Sequence, residues 1–282
     1  MQRRAISRLP IGAWATLSLP TVSPEPALSG VRAVCFDLDD TLCAYWEAAR
    51  AGLRRALEGH SATRGRVEEM EEHWAAAFRD FYPRLRPEGW YEEYLASGEP
   101  TRTELMRRAL LRAEIEDPEV VTEIADAYAR ERLSALRLFP DALPVLKSLK
   151  KRYGLGLITN GPADVQSQEI EALGVGSFFD CVLIEGEIGI GKPEPEVFRR
   201  AEQELGWTSG EMLFVGNSYS SDILPAIEAG WRAVWVRRPE DVAPSQGKGG
   251  KPEAPPQDSP PPHAITADLR SLLPLLGMED LS

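Results

Sequence analysis

Cysteine is scarce in this sequence: Cys35, Cys43 and Cys181 are the only three, with no C-x-x-C spacing. That argues against a secreted disulfide framework and against a structural zinc site. Long hydrophobic runs are missing, and none approaches the ~18 apolar residues that a membrane span requires. Basic charge is in deficit. Lys and Arg total 32 against 44 Asp and Glu, a formal net charge of −12. An acidic chain with no basic stripe repels phosphate backbones, so neither nucleic acid nor a membrane is an expected partner. Small anionic substrates stay compatible with that charge, because one bound cation or one positive pocket overrides the global sign. Histidine is rare as well: His60, His73 and His263 lie far apart and share no motif, which suits surface or packing roles.

What is present is a globular balance. Over 282 residues, 43% are hydrophobic and 27% charged, enough for one large domain or a core with a smaller partner. Arg3, Arg4 and Arg8 precede a mildly apolar stretch, Ile11 to Pro20, that loosely imitates an export or transit signal. Polar residues and proline interrupt it and no cleavage site follows. Residues 1–30 therefore read as a flexible leader, and the unpaired thiols predict a cytoplasmic protein.

Periodicity then divides the chain. Val31 to Phe36 is a short apolar run followed at once by acids, the pattern of a buried strand. From Tyr45 to Leu136 the spacing is helical throughout. Glu68 to Phe81 carries aromatics and alanines on one face, with Trp74, Phe78, Phe81 and Tyr82 read as packing. Thr101-x-x-Glu104 predicts a capping box, and Asp117-Pro118 an N-cap with a first-turn proline. After Pro140, apolar strands (155–159, 181–184, 212–215, 233–236) alternate with helices (141–153, 163–173, 195–205, 222–229). This predicts βαβ units around a parallel sheet, an α/β class with a doubly wound sheet. The predicted core is 31–42, 136–238 and 263–282, and residues 43–135 form an all-helical insertion. Residues 239–262 read as a proline- and glycine-rich linker. Beyond it, Ala264–Thr266 predicts a last strand and Asp268–Leu273 a docking helix.

Four signals fall at strand ends. Asp37-Leu-Asp39-Asp40-Thr41 crowds three acids, which raise one another's pKa unless a cation or hydrogen bonds compensate. Such a turn satisfies backbone amides, or it holds a magnesium ion with one carboxylate free to attack. Thr159-Asn160-Gly161 is either an ordinary turn or a set of phosphate donors. Lys192, between Gly191 and Pro193, is either a solvated loop lysine or a charge held on stiff backbone. Gly216-Asn217-x4-Asp222 is either a helix start or a metal-facing loop. In parallel sheets ligands bind beyond the carboxyl ends of the strands, where all four lie.

Taken together, Asp37-x-Asp39-x-Thr41, Thr159-Asn160, Lys192 and Gly216-Asn217-x4-Asp222 resemble the four motifs of the haloacid dehalogenase superfamily, in order and spacing, over about residues 31–237. The helical insertion resembles that of its helical-cap phosphatases. The resemblance implies Mg²⁺-dependent hydrolysis of a small phosphorylated metabolite. Asp37 is then the nucleophile and Asp39 the general acid and base. Thr159, Asn160 and Lys192 hold the phosphoryl group. Asp37, the Asp39 carbonyl, Asn217 and Asp222 hold the metal. Asn217 departs from the family, which usually carries an acid there. A 2-haloacid dehalogenase or a non-catalytic binding protein on the same fold are the alternatives; Asp39 argues against the first and the retained Asp37–Asp39 pair against the second. Fourteen arginines supply all the insertion's basic residues, and one or two of them are candidates to meet a carboxylate or second phosphate of the substrate.

Overall fold

The α/β pattern starts from five short apolar runs, each too short for a helix and rich in Val, Ile, Leu and Phe. In the computed structural model, which describes residues 28–238 and 258–279, they are β1 (Ala33–Phe36), β2 (Gly154–Thr159), β3 (Cys181–Ile184), β4 (Met212–Gly216) and β5 (Arg232–Val236). β6 (Ala264–Thr266) adds to the edge, as expected. Most of the expected leader, 1–27, and of the expected linker, 239–257, lies outside the described residues.

All neighbouring strands pair in parallel, in the order β3-β2-β1-β4-β5-β6. Alternation along β1 shows why both faces must be covered. Val34 and Phe36 pack into one apolar cluster with α6 (Ala142–Leu149) and the C-terminal Leu269, Leu272 and Leu273. Ala33 and Cys35 face the opposite cluster, with α9 (Pro195–Leu205) and Trp231. A period of two with both faces apolar is the mark of a doubly wound sheet, and the predicted fold class holds.

Between β1 and β2 the chain builds α1 (Tyr45–Gly59), α2 (Val67–Phe81), α3 (Tyr91–Ala96), α4 (Gly98–Leu111) and α5 (Pro118–Ala135). These helices have an apolar cluster of their own, drawn from residues 53–128. The chain leaves and re-enters the sheet side by side: Ala44 N–H donates to Arg137 O (3.0 Å), and Phe139 N–H to Leu42 O (2.9 Å).

Three local expectations change. The Thr101–Glu104 capping box does not form. α4 begins a turn earlier, where Ser97 Oγ accepts from Glu99 N–H (3.3 Å). Asp164 of α7 (Ala163–Leu173) takes the Ser97 hydroxyl (2.8 Å) and Gly98 N–H (2.9 Å), so a partner across the interface satisfies that start. The helix expected at 141–153 is confined to α6. The helix expected to open at Asp222 starts as a π-turn over Tyr219–Ile223, capped by Ser218, so Asp222 lies inside the turn. Asp117 does cap α5, accepting from Glu119 N–H at 2.9 Å.

α1 and α5 touch at Gly52, where a β-carbon would come within 2.5 Å of the Arg132 backbone nitrogen. Gly52→Val should therefore cost about 1–3 kcal/mol in equilibrium urea unfolding. Gly59→Ala, with open space around it, should stay within about 0.5 kcal/mol of wild type.

Candidate active site

The sheet's carboxyl edge brings together residues far apart in sequence. Asp37 follows β1, its N–H held by Val215 O of β4 at 3.0 Å. Lys192 arrives from the loop after α8 (Glu185–Ile188) and places Nζ 2.7 Å from Asp37 Oδ1 and 2.7 Å from Asp222 Oδ1. All three are buried. Gly216 is needed for this closeness, since a β-carbon there would lie 2.4 Å from Asp222 Oδ2. That second oxygen accepts from Ser218 N–H at 2.9 Å, and Thr41 Oγ1 donates to Asp37 Oδ2 at 3.0 Å. Burial alone would lower the Lys192 pKa, but Asp222 and Asp37 outweigh it and hold the ammonium charged. Burial pushes Asp222 up to about 6, helped by Asp37 and opposed by Lys192.

Asp39 sits on the cavity wall in a second network, which sequence reading missed. Gln166 Nε2 donates to Asp39 Oδ2 (3.2 Å) and to Glu169 Oε2 (3.3 Å), while Thr159 Oγ1 donates to Gln166 Oε1 (2.6 Å). Glu169 in turn pairs with Arg132 of α5. Loss of water around its carboxyl raises the Asp39 pKa well above the ordinary range, and Glu169, Asp37 and Asp40 add to the rise. Its burial beside Glu169 and Asp37 thus favours the neutral form of the Asp39 carboxyl over the charged one. A signal was available: Gln166 and Glu169 are the buried side chains of α7, one turn apart and both polar, on the face turned to the strand ends.

Two expected phosphate donors are otherwise engaged. Asn160 clasps the backbone of Lys192, giving Nδ2 to Lys192 O (2.6 Å) and taking Lys192 N–H on Oδ1 (2.8 Å). Its amide fixes the lysine loop. Thr159 faces the cavity with its hydroxyl donating to Gln166. The histidines stand apart from the site, as expected: His60 pairs with Glu123, His73 with Glu69, and His263 takes Ala233 N–H.

Above these residues lies a cavity of about 390 Å³ between the sheet edge and the helical insertion, within the range for small-molecule sites. Trp74, Phe78 and Tyr82, four residues apart, wall its upper side. Phe81 alone of the four aromatics stays wholly within the insertion's interior; the other three serve both packing and the cavity. Tyr94, Tyr128, Arg102 and Arg132 complete that wall.

The donors near Asp37 suit a hard divalent cation. Thr41 Oγ1 lies 3.0 Å from Asp37 Oδ2 and 3.4 Å from Asn217 Oδ1, so a carboxylate and an amide oxygen share one hydroxyl. No cluster of three or more acids, cysteines or histidines stands ready for a metal among the described residues. Mg²⁺ needs no such cage, since it keeps waters and takes one or two carboxylates plus substrate phosphate. Asp222 has both oxygens committed to Lys192 and Ser218.

A buried carboxylate–lysine pair at the carboxyl edge of a doubly wound sheet, under a helical insertion, defines a hydrolase-type site. The family model for haloacid dehalogenase-like hydrolases matches residues 31–230, and the chain belongs to that family and is an enzyme. It is 36% identical over 236 residues to a phosphoserine phosphatase of Thermus thermophilus, covering 75% of this chain and 92% of that one. A glyceraldehyde 3-phosphate phosphatase of Methanopyrus kandleri is 30% identical over 213 residues, 74% of this chain and 84% of the relative. Among solved structures, a 2-haloacid dehalogenase from Pseudomonas syringae superposes with a TM-score of 0.58 at 28% identity, covering 88% of this chain and 98% of that one.

Removing the shared cation should leave two buried carboxylates opposed. Lys192→Met should cost about 3–5 kcal/mol in urea unfolding with chelator present. Adding Asp222→Asn should recover part of that loss; no recovery would show that the two charges are not coupled through the lysine.

Proposed function

We propose that the chain hydrolyses a small-molecule phosphomonoester through an aspartyl-phosphate on Asp37, with Mg²⁺ as cofactor. The observation that carries this reading is the pairing of Asp37, held by Lys192 and Thr41, with a second carboxyl, Asp39, whose pKa burial raises, in the same cavity. A carboxylate oxygen of Asp37 attacks phosphorus, and the bond to the ester oxygen breaks. Asp39 gives its proton to that leaving oxygen. Asp39, now a carboxylate, takes a proton from water, whose oxygen attacks phosphorus and frees Asp37 and inorganic phosphate. Thr159 and Lys192 bind phosphoryl oxygens. The Thr159 hydroxyl, which donates to Gln166 Oε1, turns to the phosphoryl group when substrate binds.

Asp37, the Asp39 carbonyl and Asn217 Oδ1 would hold Mg²⁺, which when bound neutralises charge on the transferring phosphoryl group. Asp222 contributes its charge nearby and anchors Lys192, rather than ligating. Dehalogenation is the weaker reading despite the similar solved structure, because a halide leaves without a proton and would make no use of Asp39. Residues 43–135 act as the cap that closes over the substrate, and the three free thiols support a reducing, cytoplasmic setting.

Asp37→Asn should abolish turnover with the fold intact, because an amide cannot form the acyl-phosphate. Asp39→Asn should lose most of kcat/KM, which reports formation of the phosphoenzyme, on alkyl phosphates and far less of it on an aryl phosphate, whose leaving group needs no proton. Gln166→Leu should follow the same pattern at smaller size. Equal losses of kcat/KM on both ester classes would remove Asp39 from the acid role.

Asn217→Asp adds charge at the proposed metal ligand. The magnesium concentration for half-maximal activity should fall by roughly 10-fold or more, a gain of about 1.4 kcal/mol. The plateau rate should not rise in step, since the added charge also repels the phosphoryl dianion. An unchanged half-saturation would mean that residue 217 does not face the metal.

A further inference from the structure

The cavity holds a cation that the proposed chemistry does not use. Three cationic side chains line it among the described residues. Lys192 is shared by Asp37 and Asp222, and Arg132 is paired with Glu169. Arg102 has no such partner: its Nε is shut away from water with no hydrogen-bond partner among the described residues. A cation that borders the cavity without a carboxylate of its own among the described residues is a ready partner for a ligand's negative charge. The surroundings agree. Gly98, Thr101, Arg102 and Leu105 form one stripe of α4 along the cavity wall, and Arg102 lies close enough to Tyr82 and Tyr128 to act on their hydroxyls electrostatically.

Resting on the phosphatase reading, we propose that Arg102 is the subsite for a carboxylate, so that the enzyme's substrates are small phosphomonoesters of hydroxy acids. The phosphoryl group occupies the acid-lined floor by Asp37, and the carboxylate meets the Arg102 fork on the aromatic cap side. Charge counting favours a carboxylate over a second phosphate. One unpaired guanidinium balances one negative charge, whereas a second phosphate dianion would stay half uncompensated against aromatic walls. The cavity's size also suits a small metabolite with two polar ends.

The test uses the full chain with magnesium. Phosphoglycolate, phospholactate and O-phosphoserine are compared with their carboxamides, alongside ethylene glycol bisphosphate and p-nitrophenyl phosphate. Wild type should favour the acid over its amide by roughly 10- to 100-fold in kcat/KM, carried mainly by KM. Arg102→Met should collapse that ratio toward unity, and Arg102→Lys should keep part of it. Should the Met variant not fold, the Lys variant and direct titration of phospholactate into Asp37→Asn, with and without the Arg102 change, give the same decision. Acid and amide turned over equally, with p-nitrophenyl phosphate hydrolysed, would overturn the carboxylate subsite and leave the phosphatase reading standing. Preference for the bisphosphate would replace the carboxylate by a second phosphate. A ratio retained in Arg102→Met would move the subsite to another residue. No hydrolysis of any ester would contradict the phosphatase reading, and this inference with it.

Discussion

The site is organised around one ammonium group. Lys192 Nζ lies 2.7 Å from carboxylates that follow two different strands, and none of the three side chains is free to seek water. Two like charges at that depth repel and demand a cation, and the geometry gives them one that hydrogen-bonds to both. Much else serves to keep it there. Asn160 fastens the lysine's backbone from the end of β2, Gly216 makes room for Asp222, and Ser218 holds the carboxylate's other oxygen. The order β2-β1-β4 is what puts those loops side by side.

A second constraint links the helical insertion to the chemistry. Three carboxylates on the sheet side each accept from the insertion: Asp164 from Ser97 and Gly98, Glu185 from Tyr91, and Glu169 from Arg132. Glu169 also accepts from Gln166, which reaches Asp39. The position of the insertion is thereby tied to the carboxyl proposed as general acid. Burial raises the pKa of the Asp39 carboxyl, which is the direction that the proposed acid role requires.

Strand positions, the parallel sheet, the helical insertion and the clustering of Asp37, Asp39, Lys192 and Asp222 were all legible in the sequence. They depend on period, on apolar runs and on short motifs at strand ends, which are local properties. What was not legible depends on partners distant in the chain. Thr101 and Glu104 spell a capping box, but Asp164, sixty residues on, decides where α4 begins. Asn160 looked like a phosphate donor until the lysine loop folded against it. Gln166 and Glu169 passed as ordinary helix residues because their burial comes from Asp39 on one side and Arg132 on the other. The aromatic stripe of Trp74, Phe78 and Tyr82 reads as packing from its spacing, and only the assembled cavity shows its second use.

The central claim is that Asp37 becomes phosphorylated during turnover. The enzyme, with magnesium and an aryl phosphate, should be quenched in acid within milliseconds of mixing and its peptides weighed. A gain of one phosphoryl mass on the peptide carrying Asp37, disappearing as substrate is exhausted, is the predicted result. Rapid release of phosphate with no phosphorylated Asp37 at any quench time, in wild type or in Asp39→Asn, would contradict the account.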